Sequence, residues 1–239
     1  MDTRKVLLFI VEGPSDEAAL APALEKIINT KKVKFKVMRI DITSDYDSNV
    51  GNIERRIKDL GVKKFLEQNS QFKPEDICGI VHIVDLDGAF ISKNKIFEQD
   101  VEKNVYCDDS ILCKSRDEFL TTIENKKNNL LYLSSLTDIK IPYGIIVPYV
   151  LYYMSCNLDH VLHGKRNSTQ DEKKNDSIDF ADQYDEPSMF IKFFNDETIK
   201  VTGTYLETWE YVQRGNNSLS RCTNFWLCLE NFEHFPNKN

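Results

Sequence analysis

The sequence contains no apolar stretch approaching the roughly 18 residues a membrane-crossing helix needs, which excludes an ordinary helical span. It contains no GxxxxGK and no GxGxxG, so nucleotide sites built on those glycine-rich loops have no support. It also lacks an excess of positive charge: 31 Lys and Arg stand against 38 Asp and Glu, a net charge of −7. A chain that grips nucleic acid by backbone electrostatics alone is normally basic. A polyanionic ligand here would therefore require divalent cations or local basic patches. No internal repeat is visible. Cysteine pairs at zinc-site spacing are missing too. Cys107 and Cys113, like Cys222 and Cys228, have five residues between them, wider than the gap of about two to four usual in structural zinc sites. With no secretory leader in view, the six cysteines read as reduced and mostly buried thiols. The expectation is a cytoplasmic protein with no membrane partner.

What is present is an alternation of strand and helix patterns. Lys5 to Val11 is a short apolar run rich in Val, Ile, Leu and Phe, a buried strand. Ser15 to Thr30 reads as a helix, with Ser15 as N-cap, Asp16 and Glu17 at its positive end, and Pro22 kinking it or dividing it in two. Val33 to Ile40 alternates apolar and basic residues, a second strand. A polar loop from Asp41 to Asn52 and the amphipathic IERRIKDLGVKKFLEQN lead to a third strand within Ile77 to Gly88. Residues 89–138 read as an insertion ending in a helix, and YGIIVPYVLYY as a fourth strand that Pro148 cuts short or places at an edge. Beyond residue 155 only helical patterns are visible, and 165–186, almost free of aliphatic residues, reads as a mobile acidic loop. The expected fold is α/β: a mostly parallel four-stranded sheet flanked by helices in residues 1–153, with an α-helical C-terminal region in 154–239.

Two strands end in carboxylates. The first delivers Glu12, followed by Gly13; the third delivers Asp85 and Asp87, followed by Gly88. Ligands of open parallel sheets bind at the carboxyl ends of the strands. If the two strands are neighbours, three carboxylates converge, and an extended backbone points Asp85 and Asp87 the same way. Such carboxylates repel unless a cation lies between them. Hard oxygen ligands without a histidine partner favour Mg²⁺ or Mn²⁺. Gly13 and Gly88 then read as small residues that let backbone, metal or phosphate approach.

The stretches FIVEGPSDEAAL and GIVHIVDLDGA resemble the Toprim domain of topoisomerases, bacterial primases and small nucleases of bacterial defence systems. The resemblance implies metal ligation by Asp85 and Asp87, and an acid/base or metal-assisting role for Glu12. It also implies a second-metal role for Asp16. YYMSCNLDHVLHG is similar to a later segment of the small defence-type proteins, which implies a metal-site role for Asp159. His160 and His163, three apart in a helical pattern, face one side and read as surface or substrate-contacting histidines. A topoisomerase gate is not expected in 239 residues, and no template-binding module of a primase is visible in them. The expectation is therefore a metal-dependent nuclease acting on DNA or RNA, a phage-defence effector controlled by an ATPase partner, with oligomeric state left open. Two alternatives stand beside it. VDLDGA is similar to the nucleophile motif of haloacid dehalogenase-type phosphatases, and a Toprim-fold module without catalysis would share every feature above. His82, inside the third strand, reads as a core histidine.

Overall fold

The computed structural model describes residues 5–28, 32–39 and 41–230. The expected element ends at Thr30 and Ile40, and residues 231–239 of the C-terminal region, lie outside the described residues. Strand β1 (Val6–Val11) has every side chain fully enclosed, the condition of a parallel strand covered on both faces. Burying each of its large side chains contributes roughly 1.5–3 kcal/mol. Helix α1 (Pro14–Ile27) follows directly, and β2 (Lys32–Val37) returns parallel to β1. Helix α2 (Ile53–Arg56), a π-helical segment (Ile57–Lys63) and α3 (Lys64–Gln68) lead to β3 (Ile77–Asp85). β3 lies parallel to β1 on the side away from β2, with Ile10 opposite His82.

The insertion forms a small sheet from β4 (Ile96–Glu98), β5 (Val105–Tyr106) and β6 (Ile111–Cys113) in the order β4-β6-β5. Helix α4 (Arg116–Ser135) and the short β7 (Asp138–Lys140) come next. Then β8 (Ile146–Ser155) lies parallel to β3. The remainder contains α5 (Leu158–His163), α6 (Gln170–Gln183), α7 (Pro187–Phe194), α8 (Tyr205–Val212), β9 (Cys222–Thr223) and α9 (Trp226–Glu230).

The fold is thus α/β, with a mixed, open sheet in the order β2-β1-β3-β8-β7 and β9 added on β8. Four strands run parallel; β7 and β9 are antiparallel to β8. The expected four-stranded sheet is corrected to six strands among the described residues, since two- and three-residue strands leave no periodicity to read. β9 likewise corrects the expectation of helices alone beyond residue 155. Pro148 does not cut the fourth strand short: it sits where β8 pairs only with β7, before pairing with β3 begins at Tyr149. Helix α1 runs as one helix through Pro22, and its N-cap is Gly13 rather than Ser15, with Pro14 at the first helical position.

The largest correction concerns residues 165–186. Instead of a mobile loop they hold α6, opened by a capping box in which the Thr169 hydroxyl accepts from the Glu172 N–H at 3.2 Å while the Glu172 carboxylate accepts from the Thr169 N–H at 2.8 Å. One aromatic anchors it. Phe180 is buried against His163, Tyr184, Phe190 and Phe193, so α6 docks with few aliphatic residues of its own.

The chain passes from β1 to β2 on one side and later places β3 on the other, so the winding reverses between β1 and β3. In open α/β sheets the crevice at such a reversal, outside the carboxyl ends of the strands, is where ligands bind. Glu12 and Asp85 stand at that crevice.

Candidate functional site

The two acidic strand tips meet. The Asp85 N–H donates to Oε1 of Glu12 at 3.2 Å, which fixes the tip of β1 against the end of β3. Asp85 in turn accepts from the Leu158 N–H at 2.9 Å, so the first turn of α5 is tied to the same point. Asp87 arrives differently from the expected extended alternation. β3 ends at Asp85, and Asp87 sits in a left-handed turn at φ 48°, its N–H bonded to the Cys156 carbonyl at 2.7 Å. Its carboxylate is turned to the Lys126 ammonium at 2.5 Å and accepts from the Tyr106 hydroxyl.

Lys126 also pairs with Asp41 at 2.7 Å. Asp41 comes from the loop after β2, where the backbone beyond the strand still follows β1: the Arg39 N–H bonds the Glu12 carbonyl at 2.9 Å. Neither Asp41 nor Lys126 is among the expected site residues. A signal for Lys126 does exist in the sequence. Helix α4 buries Phe119, Ile123, Lys126, Leu130 and Leu133, so a lysine interrupts an apolar stripe at helical spacing. On a helix face that enters the core, such a residue must have buried anions waiting.

On the other side of Asp85, Lys173 from α6 pairs with Asp159 at 2.8 Å. Asp16, third residue of α1, accepts from the Gly13 N–H at 2.9 Å and feels both Lys173 and Asp159. Two clefts open here, of about 560 and 380 Å³, and both are lined by Asp85 and Lys173. The larger adds Asp87, Tyr106 and Arg166; the smaller adds Glu12, Gly13, Asp16 and Arg39.

Six carboxylates (Glu12, Asp16, Asp41, Asp85, Asp87 and Asp159) thus surround two ammonium groups, and the imbalance shows in the titration of Glu12, Asp85 and Asp16. Burial, then repulsion from Asp41, pushes Glu12 well above the ordinary carboxylate range, with Lys126 opposing. Burial and the Asp87 charge push Asp85 up in the same way. Asp16 is raised to about 6, chiefly by burial, against its bond from Gly13. Asp41 is the exception. Burial would raise it, but Lys126 and the hydroxyl and N–H groups around it win and bring it down to about 2.

Not every expected site residue reaches the clefts. Gly88 has φ 70°, and a Cβ there would lie 2.7 Å from Ile111 Cδ1 and 2.9 Å from Leu219 Cδ2. Its smallness serves backbone conformation and packing, not phosphate approach. Gly13 lines the smaller cleft and keeps ordinary space around it. His160 is buried with Nδ1 accepting from the Cys156 N–H at 3.4 Å, and burial depresses it to about 4, so it serves as a neutral structural acceptor. His163 packs edge-on against Phe180. His82 is a core histidine as expected, bonded through Nδ1 to the Tyr149 hydroxyl at 2.8 Å.

No family model, curated protein or solved structure matches this chain. The case for the site therefore rests on its own geometry. Among the described residues no three His, Cys, Asp or Glu side chains converge closely enough to hold a metal by themselves. The convergence of Glu12, Asp85 and Asp87 on one ion, expected from the sequence, is not seen, because Asp87 turns to Lys126. The chemistry of the donor set still fits Mg²⁺ or Mn²⁺. Mg²⁺ keeps several waters and takes only one or two carboxylates plus substrate phosphate. Glu12 and Asp85 both line the smaller cleft, and each is raised by burial and like charge, a state that a divalent cation relieves. No helix among the described residues is long and apolar enough to cross a membrane.

Proposed function

We propose that this protein is a divalent-metal-dependent nuclease of Toprim type, hydrolysing phosphodiester bonds of DNA or RNA at the junction of the two clefts. The observation that carries the reading is the bond between the Glu12 carboxylate and the Asp85 N–H, which sets two acidic strand tips side by side at the point where the sheet reverses its winding. The likeness of the Glu12-Gly13 and Asp85-to-Gly88 stretches to Toprim domains supports it.

Asp85, with Glu12 beside it, would hold Mg²⁺, whose chemistry when bound would be to polarise the scissile phosphate and stabilise charge on the leaving oxygen. The protein's own groups supply the rest. Glu12, on the wall of the same cleft and bonded to the Asp85 N–H, would help hold that ion or accept the proton of the attacking water. Lys173, on the ridge shared by both clefts, and Arg166, in the larger one, supply the positive charge that a phosphate backbone needs in an otherwise acidic protein. Asp16 and Asp159 hold Lys173 in place through charge. The phosphatase alternative assigns its chemistry to Asp85 and Asp87 and leaves Glu12 idle, whereas here Glu12 is bonded to Asp85 and shares the cleft. Control by an ATPase partner and a role in phage defence belong to the same proposal.

The test is cleavage of labelled single-stranded and duplex DNA and RNA with Mg²⁺, Mn²⁺ or EDTA. Cleavage should require metal, and Glu12→Gln should lower it by roughly 10²–10⁴-fold, the usual contribution of a positioned base. Cutting that persists undiminished in Glu12→Gln, or in EDTA, contradicts the proposal.

A further inference from the structure

Lys126 is a lysine 1% exposed in the middle of an acidic cluster, with its ammonium 2.7 Å from Asp41 and 2.5 Å from Asp87. A fully enclosed ammonium is costly unless it is paired on more than one side. Here it is: the pairing carboxylates come from two loops at the carboxyl ends of the parallel strands, one after β2 and one after β3. Its separation from Lys173 is also meaningful. Lys173 is half-buried and lines both clefts, whereas Lys126 lines neither. One cation is therefore placed to meet substrate and the other to hold the cluster together.

We infer that Lys126 is a resident cation of the cluster: its ammonium occupies the place between Asp41 and Asp87 that a second divalent ion would otherwise take, so that the protein binds one divalent ion, on the Glu12–Asp85 side. This rests on the metal-dependent reading above. Lys126 is a positioning residue, because it holds Asp87 and touches no reacting atom. Its anchoring of Asp87 also explains why Asp85 and Asp87, two residues apart, do not converge. A substitution that removes the ammonium while retaining the stem, Lys126→Met, leaves Asp41 and Asp87 as two facing carboxylates open to a new ion.

Mn²⁺ binding, followed by the loss of the free-ion electron paramagnetic resonance signal, gives the count, and thermal melts in EDTA and in Mn²⁺ give a second readout. Wild type should take up one equivalent, and Lys126→Met two, with the larger rise in melting temperature on adding Mn²⁺. Should Lys126→Met fail to fold in EDTA, recovery of a cooperative melt in Mn²⁺ supports the inference, and a chain unfolded in both overturns it. A folded Lys126→Met that binds the same single equivalent, or a wild type that already binds two, overturns it as well. A wild type that binds none while Lys126→Met gains one would overturn the proposed reaction and leave the resident cation standing.

Discussion

Replacing Gly88 by alanine separates two physical roles that the same glycine plays beside Asp87. The first is conformational: at φ 70° a side chain costs roughly 1–2 kcal/mol. The second is steric: the new Cβ would sit 2.7 Å from Ile111 and 2.9 Å from Leu219, both buried, so the neighbours must shift. Over-packing of that kind costs roughly 1–3 kcal/mol. Together the loss should be about 2–5 kcal/mol, a large part of the 5–15 kcal/mol typical of a folded domain. Gly164, the C-cap of α5, supplies the control. It has φ 72° but nothing within 4 Å of the added Cβ, so Gly164→Ala should lose only the conformational part, roughly 1–2 kcal/mol. Urea unfolding of both variants beside wild type measures the difference. Equal losses in the two, or a loss below about 1 kcal/mol at Gly88, would refute the claim that the small sheet and the turn at Leu219 close tightly over the Asp87 turn.

Two further predictions concern the groups around the clefts. Asp16 is raised from 3.8 to about 6, so its protonated form is favoured in the folded state. Its contribution to stability is complete below the unfolded value and is lost as pH rises through about 6. In EDTA the urea midpoint of Asp16→Asn should therefore fall less than that of wild type between about pH 4 and pH 7, and parallel curves would contradict this. Phe180→Ala removes the aromatic that seats α6, at a cost of roughly 3–5 kcal/mol, and hydrogen exchange should show α6 losing protection before the sheet does. Uniform loss of protection would mean that α6 is not a separately anchored unit.

The legible part of the sequence was the part with strong periodicity and punctuation. Val6–Val11 and Ile77–Asp85 are continuous apolar runs with abrupt acidic ends, and the structure places those ends in contact. What stayed hidden was side-chain partnership across distant elements. Asp41 looked like one acid in a polar loop until β2 placed it beside Glu12, and Lys126 looked like one of six consecutive polar residues in α4 until its stripe was buried. In the segment 165–186 a composition nearly free of aliphatic residues hides the helix that the Thr169-x-x-Glu172 capping pair begins. That helix, α6, carries Lys173 into both clefts. The histidines of α5 show the reverse case: residue types suited to chemistry, spent instead on the Cys156 amide and on the Phe180 ring.

The central claim is that the tips of β1 and β3 form the site of a divalent cation, and a crystal of the wild-type protein soaked in Mn²⁺ tests it most directly. The account predicts an anomalous peak within roughly 2.0–2.6 Å of carboxylate oxygens of Glu12 or Asp85, with Asp87 still on Lys126. A fully soaked crystal with no manganese at either carboxylate, or with manganese only at unrelated surface acids, would contradict it.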